Sequence, residues 1–194
     1  MGVRKFILAA TMLLAAAGSQ ALAQSNATTS SANGDVSQPQ QPLTANETQH
    51  VGDWLVRCFP VKAPAPCDML YILAVKKTGQ MLLSLRFAYA PAQDKNLFQI
   101  GVPLGVSFAK GLVISSDAGA SSPLPFVHCD RTGCFVESTM DNASMDTLTS
   151  APGGAKVRFV MFGGQGVAMP FPMNGFTQAR QSMVGLAKSH VSGK

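Results

Sequence analysis

The residues of this chain whose types and spacing could do chemistry are its cysteines, its histidines, one glycine-rich run and a scatter of methionines. The cysteines number four, Cys58, Cys67, Cys129 and Cys134. In an oxidising compartment an even count favours disulfides over free thiols. Four cysteines allow three pairings. The two local ones, Cys58 with Cys67 and Cys129 with Cys134, are expected because each pair flanks a segment that reads as a turn between strands. The competing arrangement is a four-cysteine zinc site, but zinc ligands usually come in pairs about two to four residues apart, and the segment between Cys58 and Cys67 is longer than that. The run Cys129-Asp130-Arg131-Thr132-Gly133-Cys134 also departs from the two-residue spacing of a thioredoxin-type motif. Its Gly133 suits the positive φ of a hairpin loop that carries a structural bridge.

Nucleophilic catalysis needs a base beside a nucleophile, and only His50, His128 and His190 offer an imidazole. His50 borders a polar tether and His190 lies near the C-terminus. His128 precedes Cys129 in an expected strand, so the two side chains face opposite ways. A disulfide-bonded Cys129 is no thiolate, and the chain has no Gly-x-Ser-x-Gly elbow. Gly163-Gly164-Gln165-Gly166 invites a phosphate-loop reading. A nucleotide loop, however, is followed by a Lys or a helix start, whereas Val167-Ala168-Met169 reads as a strand, which makes the run a hairpin loop. Among the methionines, Met169, Met173 and Met183 would be the candidates for a soft copper site, but without a clustered ligand pattern they are expected as adaptable core fillers. No catalytic residue, metal or cofactor is therefore assigned.

The elements that position these residues begin with an export signal. Arg4 and Lys5 precede an apolar run from Phe6 to Ala17, and Ala21-Leu22-Ala23 fits a small-residue cleavage site. Residues 1–23 are expected to be a cleavable signal peptide, since the run is well short of the roughly 20 residues that a membrane-spanning helix needs. No Cys at the junction offers a lipid anchor, so the mature protein is expected to be soluble. Losing Arg4 and Lys5 reduces fifteen cations to thirteen against ten carboxylates, a formal charge of +3. That is too mild for nucleic acid, whose partners need a dense basic face. Here Lys76, Lys77, Arg86, Arg131, Lys156, Arg158, Arg180 and Lys188 are scattered among carboxylates.

Residues 24–48 are Ser, Thr, Asn, Gln, Ala and Pro with almost no large apolar side chain, and are expected to form a flexible linker. The sequons at Asn26 and Asn46 matter only in a eukaryotic secretory pathway. Residues 49–194 make a single domain's worth of chain. Trp54, Val56 and Cys58 alternate with Asp53, Leu55 and Arg57. Leu70–Val75 and Met81–Phe87 are apolar runs split by Lys77-Thr78-Gly79-Gln80, which predicts a hairpin. Further strands are predicted at Leu97–Val102, Leu112–Ser115, Phe126–Cys129, Cys134–Glu137, Lys156–Phe162 and Val167–Phe171. Asp141 can N-cap a short helix through about Leu148. Phe176, Ala179, Met183 and Leu186 mark one face of a C-terminal helix. The expected fold is mainly β, an antiparallel β-sandwich or barrel-like sheet with one short internal helix and a C-terminal helix. Trp54, Phe126 and Phe176 are expected in its core. Pro170-Phe171-Pro172 is expected to be buried beneath the terminal helix.

Several motifs in fixed order complete the reading: Gly52-Asp53-Trp54-x-Val56-x-Cys58, Pro103-Leu104-Gly105-Val106 with Gly111-Leu112, Pro125-Phe126-Val127-x-Cys129 through Gly133-Cys134, then Pro170 and Gly175-Phe176-Thr177-x-Ala179. Together with the signal they resemble the invasion-associated locus B family over roughly Val51 to Leu186. The resemblance implies a β-rich Gram-negative protein of the periplasm or outer membrane, in a family whose namesake members are linked to invasion of host cells. It supplies no catalytic residues to carry over. The chain departs from the pattern at Val51, where an aromatic often stands, and in a short, Pro-rich segment between Cys58 and Cys67. The expected function is that of an exported, non-catalytic envelope protein that binds an envelope component or a host-surface protein or glycan. The alternatives are a periplasmic thiol-redox or envelope-stress enzyme using Cys129 and Cys134, and a small-ligand carrier.

Overall fold

The structure, a computed structural model, describes residues 45–60, 62–151 and 154–192. The expected signal peptide, 1–23, and the expected linker as far as residue 44 lie outside the described residues.

Alternation builds the first sheet. In β2 (Trp54–Cys58) the side chains of Trp54, Val56 and Cys58 are buried while Leu55 and Arg57 are only half-buried, as period-two geometry requires of a strand with one face on a core. β2 pairs with β3 (Cys67–Ala74), and β3 pairs with β4 (Met81–Ala90) across the expected hairpin. Its turn closes through the Val75 and Gln80 backbones, with Gly79 at φ +69°. β5 (Lys95–Val102) follows β4, and β9 (Cys134–Met140) lies on its far side. A short strand on each flank completes seven antiparallel strands, β1 (Glu47–Val51) beside β2 and β8 (His128–Cys129) beside β9.

The second sheet has four antiparallel strands in the order β11 (Gly166–Pro170), β10 (Lys156–Val160), β6 (Leu112–Ser116) and β7 (Gly119–Ala120). Neither sheet closes on itself, so of the two expected architectures the sandwich is the one formed and the barrel-like closure is not. One core takes side chains from both sheets and from α2 (Phe176–Ser192). That helix lies against β2, β3 and β4.

The helices start for local reasons. The Asp141 carboxylate accepts from the Ser144 backbone N–H at 2.7 Å and caps α1 (Asn142–Ser150). α2 buries Phe176, Ala179, Met183 and Ala187. Leu186, expected on that face, is half-buried, because the spacing of four after Met183 keeps the stripe in line where three turns it aside.

Other boundaries also differ from the reading of the sequence. β1 opens at Glu47, inside the expected linker, and four of its five residues are exposed. The expected strand over Phe126–Cys129 shrinks to His128–Cys129, with Phe126 buried against Phe108 at 5.3 Å between ring centroids. The strand expected to reach Phe162 stops at Val160.

Candidate functional site

The cysteines pair as their spacing predicts, Cys58 with Cys67 and Cys129 with Cys134, and among the described residues no cysteine is free. The two bridges sit in opposite environments. Cys58 and Cys67 are directly paired across β2 and β3 and are almost wholly buried. Their sulfurs and a ring nitrogen of His190 lie within 4.8 Å of one another, but sulfurs bonded to each other are not thiolate ligands.

The second bridge joins a buried Cys134 to an exposed Cys129. Between them the Asp130 carboxylate Oδ1 accepts from the Thr132 N–H at 2.7 Å, the Thr132 hydroxyl at 2.6 Å and the Gly133 N–H at 3.2 Å. These bonds, the Thr132 hydroxyl foremost, hold the Asp130 carboxyl below the ordinary carboxylate range. A fixed anion in this loop opposes formation of a neighbouring thiolate. Gly133 does not adopt the expected positive φ. A Cβ there would overlap the Val102 carbonyl oxygen and the Met81 methyl, so close backbone approach is what excludes a side chain.

The three expected core residues are all buried, Trp54 and Phe176 completely. Trp54 meets Phe176 edge-on at 5.1 Å and also contacts Tyr71, Phe87 and Phe171. Its indole N–H donates to the Pro172 carbonyl at 3.0 Å. Of the Pro170-Phe171-Pro172 segment expected beneath α2, only Phe171 is buried there; Pro172 is half-buried and Pro170, closing β11, is exposed. A charged cluster braces the middle of the large sheet. Asp68, buried in β3, accepts from Arg57 through Nε at 2.9 Å and Nη2 at 2.8 Å, and from Arg86 Nε at 2.6 Å.

The other singled-out residues stay apart. His50 is exposed on β1, His128 stacks on Phe135 at 5.0 Å, and His190 Nε2 lies 3.5 Å from Glu47. Gly163, Gly164 and Gln165 lie in the β10–β11 turn, with Gly164 at φ +86°, and Gly166 opens β11 opposite Val160. Met183 is wholly buried, and Met169 and Met173 pack on the core from its margin.

Two concave features were not legible in the sequence. A cleft of about 690 Å³ opens between β5 and β9 of the large sheet, β6 and β7 of the small one, and α1. Its wall mixes the hydroxyls of Ser115, Ser121, Ser138 and Thr147 with Phe98 and Leu148. A second hollow, about 460 Å³, lies between α1, α2 and the β4–β5 turn. There the Tyr89 hydroxyl donates to Asp94 at 2.6 Å, and Asn142 Nδ2 donates to the same carboxylate oxygen at 3.1 Å. The Tyr89 bond is the chief cause that lowers the Asp94 pKa and raises that of Tyr89. Asn142 Oδ1 in turn accepts from Asn96 and Arg180, each at 3.0 Å, and Arg180 also pairs with Asp146. Buried here without a protein partner are Asn96 Oδ1 and Arg180 Nε.

A third feature is convex. The segment after β5 folds back on the tip of the β10–β11 hairpin: the Phe162 N–H donates to the Gly105 carbonyl at 2.7 Å, the Ser107 N–H to that of Val160 at 2.8 Å, and Val106 bridges Met161. These adjoining segments carry three large apolar side chains that face solvent, Phe162 at 89% exposure and Leu104 and Phe108 at 51% each. The signal for Phe162 lies in strand parity. Val157 and Phe159 point inward, so position 162 falls on the outward phase with Arg158.

These features define a two-sheet antiparallel β-domain, stapled by two local disulfides and capped by a C-terminal helix. A family model described as invasion associated locus B (IalB) protein matches residues 54–184, and the chain belongs to that family. Among solved structures, the crystal structure of invasion associated protein B from Bartonella henselae is similar in fold, with a TM-score of 0.62 at 19% identity. The match covers 73% of this chain and 99% of that one. No curated protein matches the chain.

Proposed function

We propose that the chain is exported across the inner membrane of a Gram-negative bacterium, cleaved after Ala23, and works in the envelope by binding. The observation that carries this reading is the solvent exposure of Leu104, Phe108 and Phe162 on two segments joined by backbone hydrogen bonds. Large apolar side chains gathered on a surface mark contact sites rather than packing. Family membership supports the envelope setting. Among the described residues no helix is long and apolar enough to cross a membrane. The partner is an envelope component or, where the bacterium meets a host, a host-surface protein or glycan.

The test is in-cell photo-crosslinking from p-benzoylphenylalanine placed at Phe162, with the exposed helix position Gln178 as the control. Adducts at 162 and none at 178 are expected, on a processed chain whose first residue is Gln24. Full-length cytosolic protein, or equal labelling at the two positions, would overturn the reading.

A second reading, a small-ligand carrier, draws on the cleft between the sheets. A volume of about 690 Å³ is enough for a drug-sized molecule. Native mass spectrometry of the protein purified from its own host would reveal a retained ligand as a discrete added mass.

A further inference from the structure

The strand register places four loops at one end of the molecule, beside the short β1–β2 turn, whose exposed Asp53 accepts from Asn174 Nδ2. The β3–β4 turn (75–80) precedes β4, and β4 runs antiparallel to β5 with Ser84 opposite Gly101. β5 in turn has Val102 opposite Cys134, so the segment 103–111 leaves from the same end as the β8–β9 loop (130–133). The β10–β11 tip (161–165) is tied to this end through Gly105 and Val106. From β3 to β8 the end face spans four inter-strand gaps, about 20 Å.

Those loops are chemically one-sided. Lys76, Lys77, Lys110 and Arg131 are all exposed there, and among the described residues none of them forms an ion pair. Asp130 is the one carboxylate in the four loops, and its Oδ1 is occupied by the turn it closes. The same end carries Leu104, Phe108 and Phe162. The chain enters β1 from the other end, where Glu47 lies opposite Cys58. Nothing described at that entry obstructs the face.

We infer that this end docks on an anionic phospholipid surface, with Phe162, Leu104 and Phe108 entering the interface and the four cations lying at the phosphate level. The inference rests on the binding reading above and specifies its partner. Two features favour lipid over a protein groove. The apolar side chains stand on narrow, glycine-containing loops, so each can enter a fluid interface separately. Four cations stand around them against one carboxylate, Asp130, an excess of positive charge that matches a continuous negative surface, where each Lys or Arg adds about fivefold to binding. Long Lys and Arg stems also let the charge stay at the headgroups while apolar neighbours descend.

The probe is co-sedimentation of the mature chain (24–194) with vesicles of phosphatidylethanolamine and phosphatidylglycerol, against vesicles of phosphatidylcholine alone. Binding to the anionic vesicles is expected and should fall steeply between 0.05 and 0.5 M NaCl as the charges are screened. Phe162→Ser should weaken it about tenfold through lost apolar transfer. Lys76→Gln with Lys77→Gln should weaken it about 25-fold. All these side chains are exposed, so the variants should melt at the wild-type temperature. Equal binding to the two vesicle types, unchanged binding of Phe162→Ser, or no sedimentation of the wild-type chain would each overturn the inference. A protein adduct at position 162 without vesicle binding sinks the lipid partner alone. The absence of both adduct and vesicle binding sinks the binding reading as well.

Discussion

The two disulfides should differ sharply when the folded protein meets a reductant, and the difference follows from burial. Thiol–disulfide exchange requires a thiolate to reach one sulfur. Cys129 is exposed, whereas Cys58 and Cys67 are at 0% and 1% exposure. Attack on Cys129–Cys134 can therefore proceed in the native state, but Cys58–Cys67 must wait for β2 and β3 to separate. If that opening costs about 3 kcal/mol, reduction of the buried bridge is slowed roughly a hundredfold. The bridges should also contribute unequally to stability. A sequence separation of 9 for Cys58–Cys67 corresponds to about 2.5 kcal/mol of loop entropy, and a separation of 5 for Cys129–Cys134 to about 2 kcal/mol. Replacing Cys58 and Cys67 by Ala also empties two buried sulfur positions, which raises that loss to about 4 kcal/mol. The melting temperature should then drop by roughly 10 °C. The assay is timed alkylation under dithiothreitol followed by peptide mass spectrometry, with thermal melts of the two double-alanine variants by circular dichroism. Reduction of Cys58–Cys67 as fast as Cys129–Cys134, or equal destabilisation by the two variants, would refute the reasoning.

Three further outcomes follow from the same geometry. Asp68→Asn should lose about 2 kcal/mol in urea unfolding, because a buried acceptor of three guanidinium hydrogen bonds loses its charge while both arginines keep partial access to water. Hydrogen bonds lower the folded pKa values of Asp94, Asp130 and Asp141, so their stabilisation is present above the ordinary carboxylate pKa of about 3.9 and lost as pH falls through the folded values. Asp141→Asn keeps the acceptor without the titration and should flatten the fall of melting temperature below that pH, as scanning calorimetry would read. Gly133→Ala should destabilise by about 1–3 kcal/mol through overlap with the Val102 carbonyl, while Gly163→Ala, with open space around it and no positive φ, should be neutral or slightly stabilising in the same urea titration.

Much of this architecture is visible in short windows of sequence. Trp54, Val56 and Cys58 announce β2 by alternation, Asp141 announces α1 by its cap, and Phe176, Ala179 and Met183 announce α2 by their stripe. The disulfide pairing is equally local, since each bridge closes the loop of a single hairpin. β1 escapes such reading because its exposed residues carry no alternation and its strand conformation comes from pairing with β2. The seat of β9 beside β5 escapes it too, because intervening β6 and β7 enter another sheet.

The candidate surface divides along the same line. Parity alone marks Phe162 as outward-facing, and the carboxylate-poor loops can be read from composition. Their meeting at one end cannot, because the segments that carry Leu104 and Phe162, far apart in the chain, are joined by backbone hydrogen bonds. Gly133 shows the limit in miniature: its residue type signals a backbone constraint, but only the tertiary approach of Val102 shows that the constraint is space and not φ. Local conformational preference and burial periodicity act over a few residues and are therefore written in sequence. Which loops share an end, and which polar groups meet in a hollow, depends on long-range pairing, where many registers satisfy the same local pattern and only the packed whole selects one.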